Sequence, residues 1–129
     1  MEKLIILGGG ESGVGAALLG KAKGFDVFLS DSGHLSDAHR TELQKANIKF
    51  EEGQHSENII LSATEVIKSP GIPEKAPIVK ALRAKGVHII SEIEFASRYT
   101  NAHTICITGA NGKTTTTLLT HHLLRTAGY

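Results

Sequence analysis

Two stretches of this chain carry glycines, hydroxyls and a lysine at spacings that hold phosphates. The first, Gly8-Gly9-Gly10-Glu11-Ser12-Gly13, satisfies the pattern G-x-G-x-x-G. In that pattern Gly8 permits a tight strand-to-helix turn, Gly10 lets backbone approach a pyrophosphate, and Gly13 lets the helix pack closely on a strand. The helix then turns free N–H groups, and about half a positive charge, toward an anion. Asp31 ends the next apolar run, where an acidic residue contacts a ribose. Glu11 suits such a site only with its carboxylate turned away. A glycine turn that merely packs a β–α–β unit is the alternative.

The second stretch is Thr108-Gly109-Ala110-Asn111-Gly112-Lys113-Thr114-Thr115. Ile107 stands where the common G-x-x-x-x-G-K-[ST] loop has its first glycine, but the Gly-Lys-Thr end is intact. Backbone N–H groups of such a loop cradle phosphates, Lys113 reaches the outer ones, and the Thr114 hydroxyl is placed to ligate magnesium. The chemistry implied is that of a nucleoside triphosphate; the alternative is a glycine-rich turn with an incidental lysine.

Both loops need a strand behind them and a helix in front. Lys3–Leu7 is an apolar run short enough for a buried parallel strand, and a helix is expected from about Gly13 to Lys23, stopped by Gly24. Asp26–Ser30 reads as the second strand, and Ser36 as the cap of a helix reaching about Ala46 with Leu43 and Ala46 on one face. Short strands are expected near Ile48–Phe50 and Glu65–Ser69, with a short helix at Ser56–Ser62 between them. Pro77 opens a further helix closed by Gly86, Val87–Ile90 is a strand, and Glu92–Tyr99 a helical connector. Thr104–Thr108 is expected as a sixth strand leading into the second loop and a last helix to about Thr126. Such alternation implies parallel strands with right-handed crossovers, an α/β, Rossmann-like doubly wound sheet of about five strands. The expected organisation is a whole domain at residues 1–97 and, at 98–129, the first strand, P-loop and helix of a truncated ATP-binding domain.

Composition narrows the classes further. In 129 residues, Lys plus Arg is 14 against 13 for Asp plus Glu, a net charge of +1 that argues against nucleic-acid or membrane-surface binding. The hydrophobic share of 40% and charged share of 21% are those of a folded soluble chain. The single cysteine, Cys106, excludes an internal disulfide and agrees with a reducing compartment. No apolar run approaches a membrane span, and Met1–Gly10 lacks the features of a signal peptide. A cytoplasmic, monomeric protein is expected.

A dehydrogenase-like module explains the first loop and not the second, and a simple ATPase the second and not the first. Taken in order, Gly8–Gly13, Asp31-Ser32, Ser69-Pro70-Gly71-Ile72-Pro73, Glu92-Ile93-Glu94 and Thr108–Thr115 resemble the Mur ligases of peptidoglycan synthesis. The resemblance spans the whole chain but only the amino-terminal domain and the start of the central domain of such enzymes. The shortened phosphate loop with Asn111 before Gly-Lys is characteristic of that family and of folylpolyglutamate synthetases. The Ser-Pro-Gly-Ile segment resembles the D-glutamate-adding branch more than the alanine-adding one, whose phosphate loop typically reads Gly-Thr-His-Gly-Lys.

The resemblance implies a UDP-binding first domain. Gly10, Glu11, Ser12 and Gly13 would contact the substrate UDP-N-acetylmuramoyl-L-alanine, Asp31 and Ser32 the uridine, and Ser69, Pro70 and Gly71 the diphosphate side. Relatives often carry an arginine-bearing segment after the acidic residue; this chain has Gly33-His34. ATP and Mg2+ would sit on Gly109, Ala110, Asn111, Gly112, Lys113, Thr114 and Thr115, with Lys113 catalytic and Thr114 the metal ligand. The substrate carboxylate would attack the γ-phosphate, and the amine of D-glutamate would then attack the acyl phosphate to form an amide. The family's remaining magnesium ligands, modified lysine and amino-acid domain would lie beyond Tyr129, so the chain alone is expected to bind without catalysing. An NAD-binding regulatory or oxidoreductase domain and a P-loop ATPase remain the alternatives.

Other residues invite weaker readings. Adjacent His121 and His122 point about 100° apart on a helix and do not chelate as an i, i+4 pair would. Cys106, between two isoleucines, reads as an inert buried thiol. Glu92 and Glu94, two apart on a helix, face different ways, so helix-start electrostatics or an interdomain contact is expected rather than paired acid–base chemistry.

Overall fold

A computed structural model describes residues 1–129. Five strands form one all-parallel sheet: β1 (Lys3–Leu7), β2 (Asp26–Asp31), β3 (Lys49–Glu52), β4 (Glu65–Lys68) and β5 (His88–Ile90), in the spatial order β3-β2-β1-β4-β5. The chain builds outward from β1 to β3, then crosses back to place β4 on the other side of β1. That reversal opens a crevice at the carboxyl ends of β1 and β4, the location at which doubly wound sheets take their ligands.

The central strand shows why the sheet is covered on both faces. Leu4, Ile5, Ile6 and Leu7 are all fully buried, and alternate residues point to opposite faces. Leu4 and Ile6 join a core with Val14, Ala17, Leu43 and Phe95, beneath α1 (Glu11–Ala22), α2 (Asp37–Lys45) and α5 (Glu92–Ser97). Ile5 and Leu7 join Ile60, Val66, Ile78, Val79 and Leu82, beneath α3 (Glu57–Ile60) and α4 (Pro77–Ala84). Helix ends follow the expected chemistry: the Ser36 hydroxyl accepts from the His39 amide, Pro77 opens α4, and Gly24 follows α1 with φ +87°.

The expected strand at Thr104–Thr108 is not formed; that stretch has no regular structure before α6 (Lys113–Thr126). A strand needs a neighbour for its N–H and C=O groups, and this stretch pairs with no strand of the sheet. Ile105 is therefore 60% exposed, and Cys106, expected to be buried, is exposed as well. Helix α6 buries no residue.

Candidate functional site

The first glycine-rich loop folds directly over the crevice. Gly8 has φ +102°, and a Cβ there would stand 2.7 Å from the Ser69 hydroxyl oxygen. Only glycine lets the end of β1 pass that close to the turn after β4. A Cβ on Gly13 would collide with the carbonyl oxygen of Gly8, which accounts for the third glycine. Gly10 caps α1, and a Cβ there would meet nothing within 4 Å. The first backbone bond into the helix runs from the Val14 amide to Gly10 O, leaving the amides of Glu11, Ser12 and Gly13 as the unpaired donors of the first turn. Glu11 is exposed and forms no ion pair.

Asp31 bridges two loops. One carboxylate oxygen accepts from the amide of buried Gly9 at 2.5 Å and the other from the amide of Gly33 at 2.7 Å. His39 Nδ1 lies 3.1 Å from Gly9 O and holds the same loop from the other side. Ser32 is exposed beside Asp31. The Gly33-His34 segment is braced by Glu52, which accepts from the Leu35 amide at 2.6 Å and from Arg40 Nε at 2.8 Å. The Arg40 guanidinium and the Leu35 amide pull the Glu52 carboxyl down to about 2.

The Ser69-Pro70-Gly71-Ile72-Pro73 turn forms the opposite wall. Ser69 N donates to Leu7 O at 3.0 Å, and Ile72 N closes the turn onto Ser69 O at 3.1 Å. Lys68 reinforces it from behind, donating to Ile72 O at 2.8 Å and pairing with Glu74 at 3.3 Å. Pro70 and Gly71 are exposed on the rim.

Glu92 opens α5, as helix-start electrostatics led one to expect, and its side chain has a further place. It is 6% exposed, and its Oε1 accepts from both Ser12 Oγ and Ser69 Oγ at 2.8 Å. Glu94, two residues on, is exposed. Glycine-rich loop, Ser-Pro-Gly turn and the start of α5 therefore meet at one carboxyl oxygen.

The residues of the second loop are exposed, and the side-chain hydrogen bonds of Lys113 stay within that loop. Gly109 and Gly112 have φ +147° and +79°, and Gly112 caps α6. Lys113 Nζ donates to Gly109 O at 2.7 Å, curling the lysine over its own loop. Thr116 N is the first amide to bond back into the helix, to Gly112 O, so the amides of Lys113, Thr114 and Thr115 stay free at a helix amino terminus. A nest of free amides with a lysine and a hydroxyl is a donor set that fits a triphosphate with magnesium. No group of three or more His, Cys, Asp or Glu side chains is placed to hold a metal by itself.

Comparison with known proteins identifies the crevice's relatives. The sequence profile of the Mur ligase MurD-like N-terminal domain matches residues 2–91, more than half of the chain. The chain belongs to the MurD-like Mur ligases. It is 62% identical over 130 residues to UDP-N-acetylmuramoylalanine–D-glutamate ligase of Cytophaga hutchinsonii, and 57% identical over 128 residues to that of Bacteroides fragilis. Each alignment covers 99% of this chain and 29% of the relative, so the chain spans under a third of the length of these ligases. Among solved structures, a murein peptide ligase from Psychrobacter arcticus superposes with a TM-score of 0.73 at 26% identity, covering 99% of this chain and 27% of that one. The UDP-N-acetylmuramate-alanine ligase of Thermotoga maritima gives a TM-score of 0.69 at 26% identity over 97% of this chain and 29% of its own. The doubly wound MurD-like fold is thus shared with Mur ligases beyond the branch this chain resembles.

Proposed function

We propose that the switch-point crevice holds the UDP end of UDP-N-acetylmuramoyl-L-alanine, and that the full-length protein joins D-glutamate to it in peptidoglycan synthesis. The observation that carries this reading is that the MurD-like profile covers residues 2–91, the segment that builds both walls of the crevice. The amides of Glu11, Ser12 and Gly13 offer donors to the diphosphate. Asp31 and Ser32 take the uridine, with Gly10 open beneath and Ser69, Pro70 and Gly71 opposite. Residues 1–97 form the UDP-binding unit, and residues 98–129 open an ATP-binding one.

On the second loop, Lys113 and the free amides from Lys113 to Thr115 would hold the phosphates of ATP, and the Thr114 hydroxyl would ligate Mg2+. Bound there, ATP and magnesium supply the phosphoryl group that turns the substrate carboxylate into an acyl phosphate and the charge that stabilises its transfer. No helix of the chain is long and apolar enough to cross a membrane, which suits a ligase acting on a nucleotide-sugar in the cytoplasm. The protein acts as a monomer in this reading.

Calorimetric titration of the chain with UDP-N-acetylmuramoyl-L-alanine, UDP and NADH tests the proposal. Saturable binding of the two uridine ligands and none of NADH is expected. Binding of NADH without UDP would replace the ligase reading with a dinucleotide-binding module.

A further inference from the structure

We infer that Glu92 is a positioning residue that locks the two walls of the crevice together and fixes which donors they offer to a ligand. The inference rests on the crevice being the UDP site. A carboxylate that is 6% exposed and forms no ion pair is costly to bury, and an apolar side chain would fill the space more cheaply. What the carboxylate provides is two hydroxyl contacts on one oxygen. They come from residues 80 positions before it and 23 positions before it in the chain. Ser12 belongs to the first turn of α1 and Ser69 to the Ser-Pro-Gly turn, so the pair spans the point where strand order reverses.

Proton accounting gives the contacts a consequence for recognition. A serine hydroxyl has one proton, and both protons point inward at Glu92 Oε1. Toward the crevice the two hydroxyl oxygens present only lone pairs. A diphosphate there is held by backbone amides, which cannot be reassigned, and not by the serine hydroxyls. The hydroxyl oxygens are left to accept from a ligand O–H or a bridging water. Glu92 thereby sets the loops at a fixed spacing and separates the donor surface from the acceptor surface. Because it is also the first residue of α5, the lock is anchored through Phe95, which is fully buried under α1.

The test compares the chain with Glu92→Gln and Glu92→Ala, all three first shown to be folded by far-UV circular dichroism. Glutamine retains an oxygen able to accept from both serines; alanine does not. Amide hydrogen exchange reads the lock without any ligand. Glu92→Ala is expected to speed exchange at Val14, Ser69 and Ile72 roughly ten-fold or more, as for loss of a charge-assisted bond. Amides of β2 and β3 should stay unchanged, and Glu92→Gln should stay within about three-fold at all sites. Titration then compares UDP with uridine. Alanine should weaken UDP roughly ten-fold and uridine less than about two-fold, with glutamine restoring UDP binding. Unchanged exchange at both walls in Glu92→Ala, equal acceleration throughout the sheet, or glutamine behaving as alanine would overturn the inference. If the unaltered chain takes no UDP, the UDP reading fails by itself, and the exchange pattern still decides whether Glu92 is the lock.

Discussion

Replacing Asp31 separates its role in the fold from its role toward a ligand. Its two carboxylate oxygens hold the amides of Gly9 and Gly33. Hydrogen bonds to a charged partner contribute about 1.5–3 kcal/mol each, and a buried donor left without a partner costs its desolvation as well. The Gly9 amide is buried and takes the larger share; the Gly33 amide, at the surface, finds water. Asp31→Ala should therefore lower stability by about 2–4 kcal/mol. Asp31→Asn keeps one acceptor oxygen but turns an amino group toward the other amide, and should cost about 1–2 kcal/mol. Urea unfolding followed by circular dichroism measures both. With a slope of about 1–1.5 kcal/mol/M for a domain of this size, the alanine midpoint should fall by roughly 2 M and the asparagine midpoint by about half that. An alanine midpoint unmoved from the parent would mean that neither contact holds the loop. The same pair bears on binding: both variants disturb the loop, Asp31→Asn less than Asp31→Ala, so UDP binding lost equally in both points to the ligand contact, and binding lost in proportion to stability points to the loop.

Three further outcomes follow from the same geometry. The carboxyl of Glu52 sits at about 2 in the folded chain, against an ordinary value of 4.5, so its contribution is full above about pH 4.5 and is lost as pH falls toward 2. An acid titration of stability should show that loss, and Arg40→Gln, which removes the largest cause of the lowering, should flatten it. Phe95 is fully buried, with its ring edge-on to Phe25 and Tyr99 at 5.8 and 5.3 Å; Phe95→Ala should cost about 3–5 kcal/mol in urea unfolding and loosen α5 with it. Lys113→Ala touches only carbonyls of its own exposed loop, so the unfolding midpoint should move by less than about 0.5 kcal/mol equivalent while any nucleotide binding at that loop is lost.

The sheet was readable because its signals are local. Lys3–Leu7 is apolar at every position but the first, and only a strand covered on both faces needs that. Gly24, Ser36, Pro77 and Gly86 each mark a helix end that the structure has. The roles of Gly8 and Gly13 were also readable, since a tight turn and a close helix approach are what an absent side chain permits. Thr104–Thr108 misled for the opposite reason. Its apolar β-branched pattern is that of a strand, but a strand exists only with a partner, and pattern does not reveal pairing. Cys106 was misplaced by the same step. Glu92 is marked in the sequence by its motif and its helix-start place, but nothing near it announces its partners Ser12 and Ser69, which lie far away along the chain. Asp31 reads in the sequence as a ligand residue, and what the structure shows is its carboxylate holding Gly9 and Gly33.

In the proposed function the crevice between β1 and β4 takes the uridine diphosphate. Amide chemical-shift mapping of the labelled chain during addition of UDP tests it most directly. On that reading, saturable shifts are expected at Gly10–Val14, Asp31–Gly33 and Ser69–Ile72, with α6 and the outer face of α4 unmoved. Shifts confined to Gly109–Thr115, or shifts at the crevice with NADH and none with UDP, would contradict it.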